Sequence, residues 1–228
     1  NPGTSEMHFV AALDEVEPMR GILCLFEGGA TGAADGYARM ADKPAAVLLH
    51  LGAGLGNGLA NLHNARKART PMINIVGDHA TYHTKYDAQL QSDIETVARN
   101  VSTWVRTCPA TSQLAADTVE ALRVAMGPPA QIATLILPAD VSWGEGATPL
   151  ELPPLPAPEP ASRETIEKIA SILDDKKKKC AILLGGRVLT ERGLLAASRI
   201  SEKTGAKLFC EVFPARFERG AGLPHVER

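Results

Sequence analysis

Residues 45–58 read AAVLLHLGAGLGNG, an apolar run that ends on His50 and passes directly into a loop with glycine at 52, 54, 56 and 58. A run that is nearly continuous rather than alternating is expected of a strand buried on both faces of a parallel sheet. Four further runs have the same character: Ile22 to Phe26, Met72 to Val76, Thr103 to Thr107 and Ala133 to Leu137. Their starts lie roughly 23 to 31 residues apart, which leaves room for a crossover helix each time. The pattern predicts an α/β fold on a doubly wound parallel sheet, with these five runs as its strands.

Between the runs the helical signals are short. Thr4 or Ser5 is the expected N-cap of a first helix, on which Phe9, Leu13 and Val16 fall on one stripe. Ala30, Ala33, Ala34 and Tyr37 mark a second, whose Gly36 is costly inside a helix unless another backbone packs closely there. From Thr148 to Pro160 the chain reads TPLELPPLPAPEP, and six prolines in thirteen residues sustain neither a helix nor a central strand. The expected organisation is therefore a domain over 1–146 whose start is missing, a linker over 147–161, and a partial second α/β domain over 162–228. In that last part a helix is predicted near Arg163 to Leu173, a strand at Ala181 to Leu184, a helix near Thr190 to Lys203 and a strand at Lys207 to Val212. Two αβ steps are few for an independent domain of this class.

Composition narrows the classes of function. A net charge of -2 with dispersed signs offers no electrostatic footprint for nucleic acid or an anionic membrane. No apolar run approaches the roughly 20 residues of a membrane helix. The chain starts on Asn1-Pro2-Gly3, with no initiator Met and no signal-peptide pattern, so upstream residues are expected to be absent. Cys24, Cys108, Cys180 and Cys210 form no C-x-x-C pair and stand near no histidine in sequence, which argues against a zinc site or disulfide framework and for a reducing, cytoplasmic compartment. The run Lys176 to Lys179 reads as a solvated turn. A small-molecule protein is the expectation.

In an open parallel sheet ligands gather at the carboxyl ends of the strands. Three segments end expected strands in a suggestive way: Phe26-Glu27-Gly28-Gly29, His50 with the glycines after it, and Val76-Gly77-Asp78-His79. Glu27 has a plain reading as a partner for a helix dipole, against which the two glycines behind it leave room for a ligand at its carboxylate. His50 reads equally as a core or edge histidine. The glycine loop is not a dinucleotide fingerprint, since the last glycine of G-x-G-x-x-G is replaced by Asn57, Leu59 or Asn61 in the three registers. Nor does it carry a Walker lysine. His79 and His83 lack a third ligand nearby in sequence, so no metal site is expected in this chain.

Taken in order, NPGTSE, LFEGGATGAADGYARM, LLHLGAGLGNGLANLHNA and MINIVGD resemble the amino-terminal pyrimidine domain of the thiamine-diphosphate-dependent acetolactate synthase and benzoylformate decarboxylase family. The likeness runs over residues 1 to about 140, and the part after the linker is similar to that family's middle domain. Its most specific element is E-x-x-A-x-x-A-A-D-G-Y-A-R, from Glu27 to Arg39. The segment from Leu49 to Asn57 is similar to the L-H-x-x-x-G-x-G-N of benzoylformate decarboxylase, whereas acetolactate synthases usually read T-S-G-P-G there. Thr4 stands where that decarboxylase has a serine in N-P-G-S.

The resemblance implies that Glu27 is the catalytic acid that hydrogen-bonds the cofactor's aminopyrimidine, in a dry site where burial raises its pKa. It implies that His50 relays protons, that Gly28, Gly52 and Gly54 lie against thiamine diphosphate, and that Thr4 and Asn57 meet a small 2-oxo acid. The expected enzyme is an acetolactate synthase-like carboligase (a transferase) or a benzoylformate decarboxylase-like lyase, active as a homodimer or homotetramer. Magnesium would be bound by a diphosphate domain that this chain does not contain, for it has no Gly-Asp-Gly and no Asn-Asn, and FAD in the middle domain stays open. By that account the 228-residue chain alone is inactive. The rival from another class is a non-catalytic α/β nucleotide-binding or regulatory module, favoured if a salt bridge occupies Glu27.

Overall fold

The run at residue 45 forms the edge strand β1 (Ala45–His50) of a four-stranded sheet in the computed structural model, which describes residues 1–155 and 157–227. Pro156, inside the expected linker, and Arg228 lie outside the described residues. With β2 (Met72–Asp78), β3 (Trp104–Thr107) and β4 (Ile132–Pro138), the spatial order is β1-β2-β4-β3, and every pairing is parallel. This sheet belongs to the first of two compact units, Asn1–Pro156 and Ala157–Arg228.

Helices cover both faces of the sheet, which is why its strands read as continuous apolar runs. Val47, Leu49, Met72, Val76, Ile132 and Ile136 face α2 (Glu27–Ala41), α3 (Leu51–Ala68) and α4 (Ile94–Arg99) in one buried cluster. Ile73 and Ala133 turn the other way, onto Ala121 and Ala125 of α5 (Leu114–Met126). Phe9 of α1 (Met7–Asp14) and Val141 of α6 (Ala139–Trp143) pack with Leu135 and Leu137 on a further cluster. Leu49, Leu55, Leu62, Met72 and Val76 are fully buried. At about 1.5–3 kcal/mol for each such side chain, this burial dominates the forces that hold α3 to the sheet.

Three expectations fail, each for a local reason. Ile22 to Phe26 is not a strand: no ladder pairs it, and Ile22, Leu23, Leu25 and Phe26 are 72, 74, 95 and 57% exposed. Gly36 meets no close neighbour, and an added Cβ there would point into open space. The tight contact between α2 and α3 lies instead at Gly58, whose added Cβ would come within 2.8 Å of Thr31 Cγ2, and Thr31 Oγ1 donates to the Gly58 carbonyl at 3.3 Å. Thr4 and Ser5 do not cap α1, because a single 3-10 turn (Thr4–Glu6) comes first and makes Glu6 the residue before the helix.

In the second unit β5 (Ala181–Leu184) and β6 (Lys207–Cys210) pair in parallel. Both helices foreseen there are present, α7 (Arg163–Asp174) and α8 (Glu191–Thr204). Ser162 caps α7 by accepting from Thr165 N at 3.2 Å, and Gly205 ends α8 with a left-handed φ of 74°. Leu184, Leu189, Leu194, Ala197 and Leu208 form the core, while Ile166, Ile169 and Ile172 leave an exposed apolar stripe on α7. The last strand stops at Cys210, short of the expected Val212, which is 78% exposed.

Candidate active site

The site is built where β1 turns into α3. His50 is the last residue of the strand and Leu51 the first of the helix, with no connecting loop. Such an abrupt reversal forces Leu51 to φ 53°, a left-handed conformation that costs a non-glycine residue about 1–2 kcal/mol. Burial of Leu51 at 1% exposure holds the turn in place. Sequence reasoning passed over Leu51, since an apolar residue after a strand gives no signal of a positive φ.

Glu27 opens α2, directly after the extended Phe26. Its carboxylate accepts from Asn57 Nδ2 at 3.1 Å. Gly54 sits between the two singled-out residues: an added Cβ there would lie 3.5 Å from Glu27 Oε1 and 3.6 Å from His50 Cβ. The missing side chain thus leaves Glu27 and His50 adjoining one small space. Gly28 is different, because the Phe26 ring occupies the place of its Cβ, whereas the space beside Gly29 is open. Gly52 makes room for the Ser92 side chain. Asn61, not foreseen, donates to the Gly28 carbonyl at 2.6 Å and ties α3 to the start of α2.

Opposing influences set the protonation of Glu27. Burial pushes its pKa up, but its own backbone amide and hydrogen bonds from the Asn57 and Asn1 side chains pull it below the usual glutamate value. No lysine or arginine takes part. The carboxylate is therefore held ionised, which is the reverse of the raised pKa that a dry pocket would give. At the end of β2, burial dominates for Asp78 and raises its pKa, against a 2.7 Å hydrogen bond from His79 N.

His50 is held from behind. Its Nδ1 lies 2.8 Å from Oε2 of Glu6, a carboxylate with a side chain only 1% exposed, and the same oxygen accepts from Gly3 N at 2.6 Å. The backbone nitrogen of Asn1 donates to the Leu48 carbonyl at 3.0 Å, which lays the opening segment along β1. Thr4 lies on the same segment, exposed, and with Ser5, His79, Tyr82, His83 and Trp143 lines a shallow cavity of about 200 Å³. Asn57 is engaged by Glu27. Of the residues foreseen, Glu27, His50, Gly54 and Asn57 come together, Gly28 and Gly52 serve packing, and Thr4 lies at a neighbouring cavity.

The chemistry available is that of an ionised carboxylate and an oriented imidazole beside a glycine-made gap, with no lysine or arginine acting on the carboxylate. A thiamine cofactor fits this set, since its pyrimidine asks for a carboxylate and for backbone without side chains beside it. Among the described residues no group of three or more His, Cys, Asp or Glu is placed to hold a metal ion, and no helix is long and apolar enough to cross a membrane.

Known proteins share both sequence and fold with this chain. Residues 1–99 match the family described as thiamine pyrophosphate enzyme, N-terminal TPP binding domain. The whole chain is 58% identical over 228 residues to a Mycobacterium tuberculosis protein provisionally named acetolactate synthase large subunit IlvX, and spans 44% of that relative's length. It is 31% identical over 148 residues, 64% of this chain and 28% of the relative, to benzoylformate decarboxylase of Pseudomonas aeruginosa. Among solved structures, a provisionally assigned thiamin diphosphate-dependent enzyme from Mycobacterium smegmatis superposes with a TM-score of 0.82 at 28% identity, covering 94% of this chain and 41% of that one. The thiamine diphosphate-dependent 4-hydroxybenzoylformate decarboxylase of Rhodococcus jostii RHA1 shares the fold, with a TM-score of 0.82 at 22% identity and the same coverage.

Proposed function

From a chain that belongs, through its residues 1–99, to the thiamine pyrophosphate enzyme family, we propose that it forms the cofactor-activating part of an enzyme acting on small 2-oxo acids. The observation that carries the reading is the Glu27 carboxylate, with no lysine or arginine acting on it and with the side-chain-free Gly54 close to both its Oε1 and the Cβ of His50. When bound, thiamine diphosphate supplies the carbanion and the electron sink for breaking or making a bond beside a carbonyl. Glu27 holds and shares a proton at the pyrimidine ring, with Asn57 fixing its carboxylate. Gly54 gives the ring room. His50 moves a proton at the reacting carbon through Nε2, and Thr4 contacts the carboxylate of the 2-oxo acid. The glycines at 28 and 52 shape the same wall by packing.

The histidine at the strand end favours benzoylformate decarboxylase-like lysis, and the overall likeness to IlvX favours acetolactate synthase-like ligation. The non-catalytic reading required Glu27 to be tied up by a cation, and it is not favoured. We further propose domains over 1–146 and 162–228, with the α7 stripe of Ile166, Ile169 and Ile172 covered by more of the middle domain. Magnesium and the diphosphate are held by a segment outside these 228 residues, in a cytoplasmic homodimer or dimer of dimers. In the complete enzyme, Glu27→Gln is expected to slow deuterium exchange at C2 of the cofactor by about 10²- to 10⁴-fold with the fold intact. A loss smaller than about tenfold would show that Glu27 is not the activating group.

A further inference from the structure

We infer that Glu6 is the positioning residue of His50: it fixes the imidazole as the Nδ1–H tautomer and so leaves Nε2 unprotonated on the side of the ring away from Glu6. Its Oε2 already accepts the Gly3 N–H at 2.6 Å, and a backbone amide can only donate. An ionised carboxylate has no proton to give, so the contact of 2.8 Å to His50 Nδ1 is a second acceptance by Oε2, which places a ring proton on Nδ1. In its neutral form such a ring presents an acceptor at Nε2, and it cannot rotate without breaking the bond.

Two glycines show how closely the pair is built in. A Cβ at Gly3 would fall on the His50 ring, and one at Gly77 would fall inside the Glu6 carboxylate. Gly77 is fixed between β1 and β4, opposite His50 and Leu137, so the strand cannot step aside. The stretch from Gly3 to Glu6, the end of β1 and the end of β2 therefore converge on one carboxylate. That carboxylate is poorly satisfied: Oε1 is buried without a hydrogen-bond partner. A buried acceptor left in this state costs stability. Two bonds on one oxygen and none on the other leave the buried carboxylate aimed at a single imidazole nitrogen.

The inference rests on the proposed proton-handling role of His50 for its purpose, but not for its test. Long-range ¹H–¹⁵N spectra of the histidine-labelled 228-residue chain report the tautomer of each of the six histidines, with His50 assigned by its loss in His50→Asn. The expected result is protonated Nδ1 and unprotonated Nε2 at neutral pH. Glu6→Ala should release the ring to the Nε2–H form that an unpartnered imidazole favours, while Glu6→Gln, whose amide oxygen can still accept, should retain Nδ1–H. A parent spectrum showing the Nε2–H form overturns the inference whether or not the variants fold, as does an unchanged tautomer in a folded Glu6→Ala. In the complete enzyme loaded with cofactor, Glu6→Ala should lower turnover by about tenfold or more while C2 exchange stays near that of the parent. A lost Nδ1–H tautomer with turnover unchanged would uphold the pairing of Glu6 and His50 and refute the relay role of His50.

Discussion

Replacing Gly77 by alanine tests how much the first unit depends on the carboxylate beneath His50. The added methyl would fall within the space of the Glu6 carboxyl group, and the backbone at Gly77 is held by β1 on one side and β4 on the other. The side chain of Glu6 must therefore leave. It would give up two charge-assisted hydrogen bonds, from Gly3 N and from His50 Nδ1, each worth about 1.5–3 kcal/mol. Against this stand the relief of the unpartnered Oε1 and the lower unfolded-state entropy of alanine, about 1 kcal/mol. The net expectation is a loss of about 2–5 kcal/mol. With a urea slope of about 2 kcal/mol/M, the midpoint falls by about 1–2.5 M. Both tryptophans, Trp104 and Trp143, lie in this unit, so their fluorescence follows its unfolding without a signal from the other. Gly36→Ala is the internal control: it sits in α2 with open space where its Cβ would go, and should gain about 0.5–1 kcal/mol. If Gly77→Ala matched Gly36→Ala in stability, the buried carboxylate would not be seated against β2 and the argument for Glu6 would fail.

What the sequence reveals and conceals follows from the range of the interactions involved. Four strands were legible from their apolar runs: Met72–Asp78 and Ile132–Pro138 lie inside the sheet, where burial on both faces demands such runs, while Ala45–His50 and the partly exposed Trp104–Thr107 form its edges. Ile22 to Phe26 has the same composition, yet a strand also needs a neighbour's free edge, and no composition states whether one is offered. Gly36 and Gly58 make the same point for helices. Both are glycines inside helical patterns, but only Gly58 faces another element, and the reason is Thr31, 27 residues away. Glu27 and His50 each end a local apolar run, but only the resemblance gave them roles. Glu6 was not legible, since in NPGTSE it looks like any acidic residue at a helix start, and its partner lies 44 residues further on. For Glu27, burial acts in the expected direction and hydrogen bonds oppose it. Asn57, expected to meet the substrate, also donates to that carboxylate, a bond between residues 30 apart that no local pattern announces.

The remaining expectations follow from the same geometry. In the complete enzyme, His50→Ala should impair proton transfer at the reacting carbon more than C2 exchange, and an equal fall in the two would exclude a relay. Asn57→Ala removes a hydrogen bond that lowers the Glu27 pKa, so a carbon-detected titration should show the Glu27 midpoint moving up toward the ordinary glutamate value. Because the folded pKa is depressed, Glu27 adds stability that is present above its unfolded pKa and lost as pH falls through the folded one, and that acid-side loss should shrink in Asn57→Ala. A midpoint that stayed put would place Asn57 elsewhere in solution. The last expectation concerns the 228 residues by themselves. Thiamine diphosphate carries most of its charge on the diphosphate, which needs a metal and its ligands. The sequence contains no Gly-Asp-Gly, and the described residues bring no three His, Cys, Asp or Glu side chains together for an ion. What the chain does offer is a carboxylate, a histidine and a glycine gap for the pyrimidine. Contacts to one small ring support binding no tighter than about millimolar, near 4 kcal/mol. Titration calorimetry of this chain with thiamine diphosphate and magnesium should accordingly show millimolar or weaker binding and no turnover of 2-oxo acids. Micromolar binding that depends on magnesium would mean that these residues complete the diphosphate site unaided, and the division of labour proposed above would be wrong.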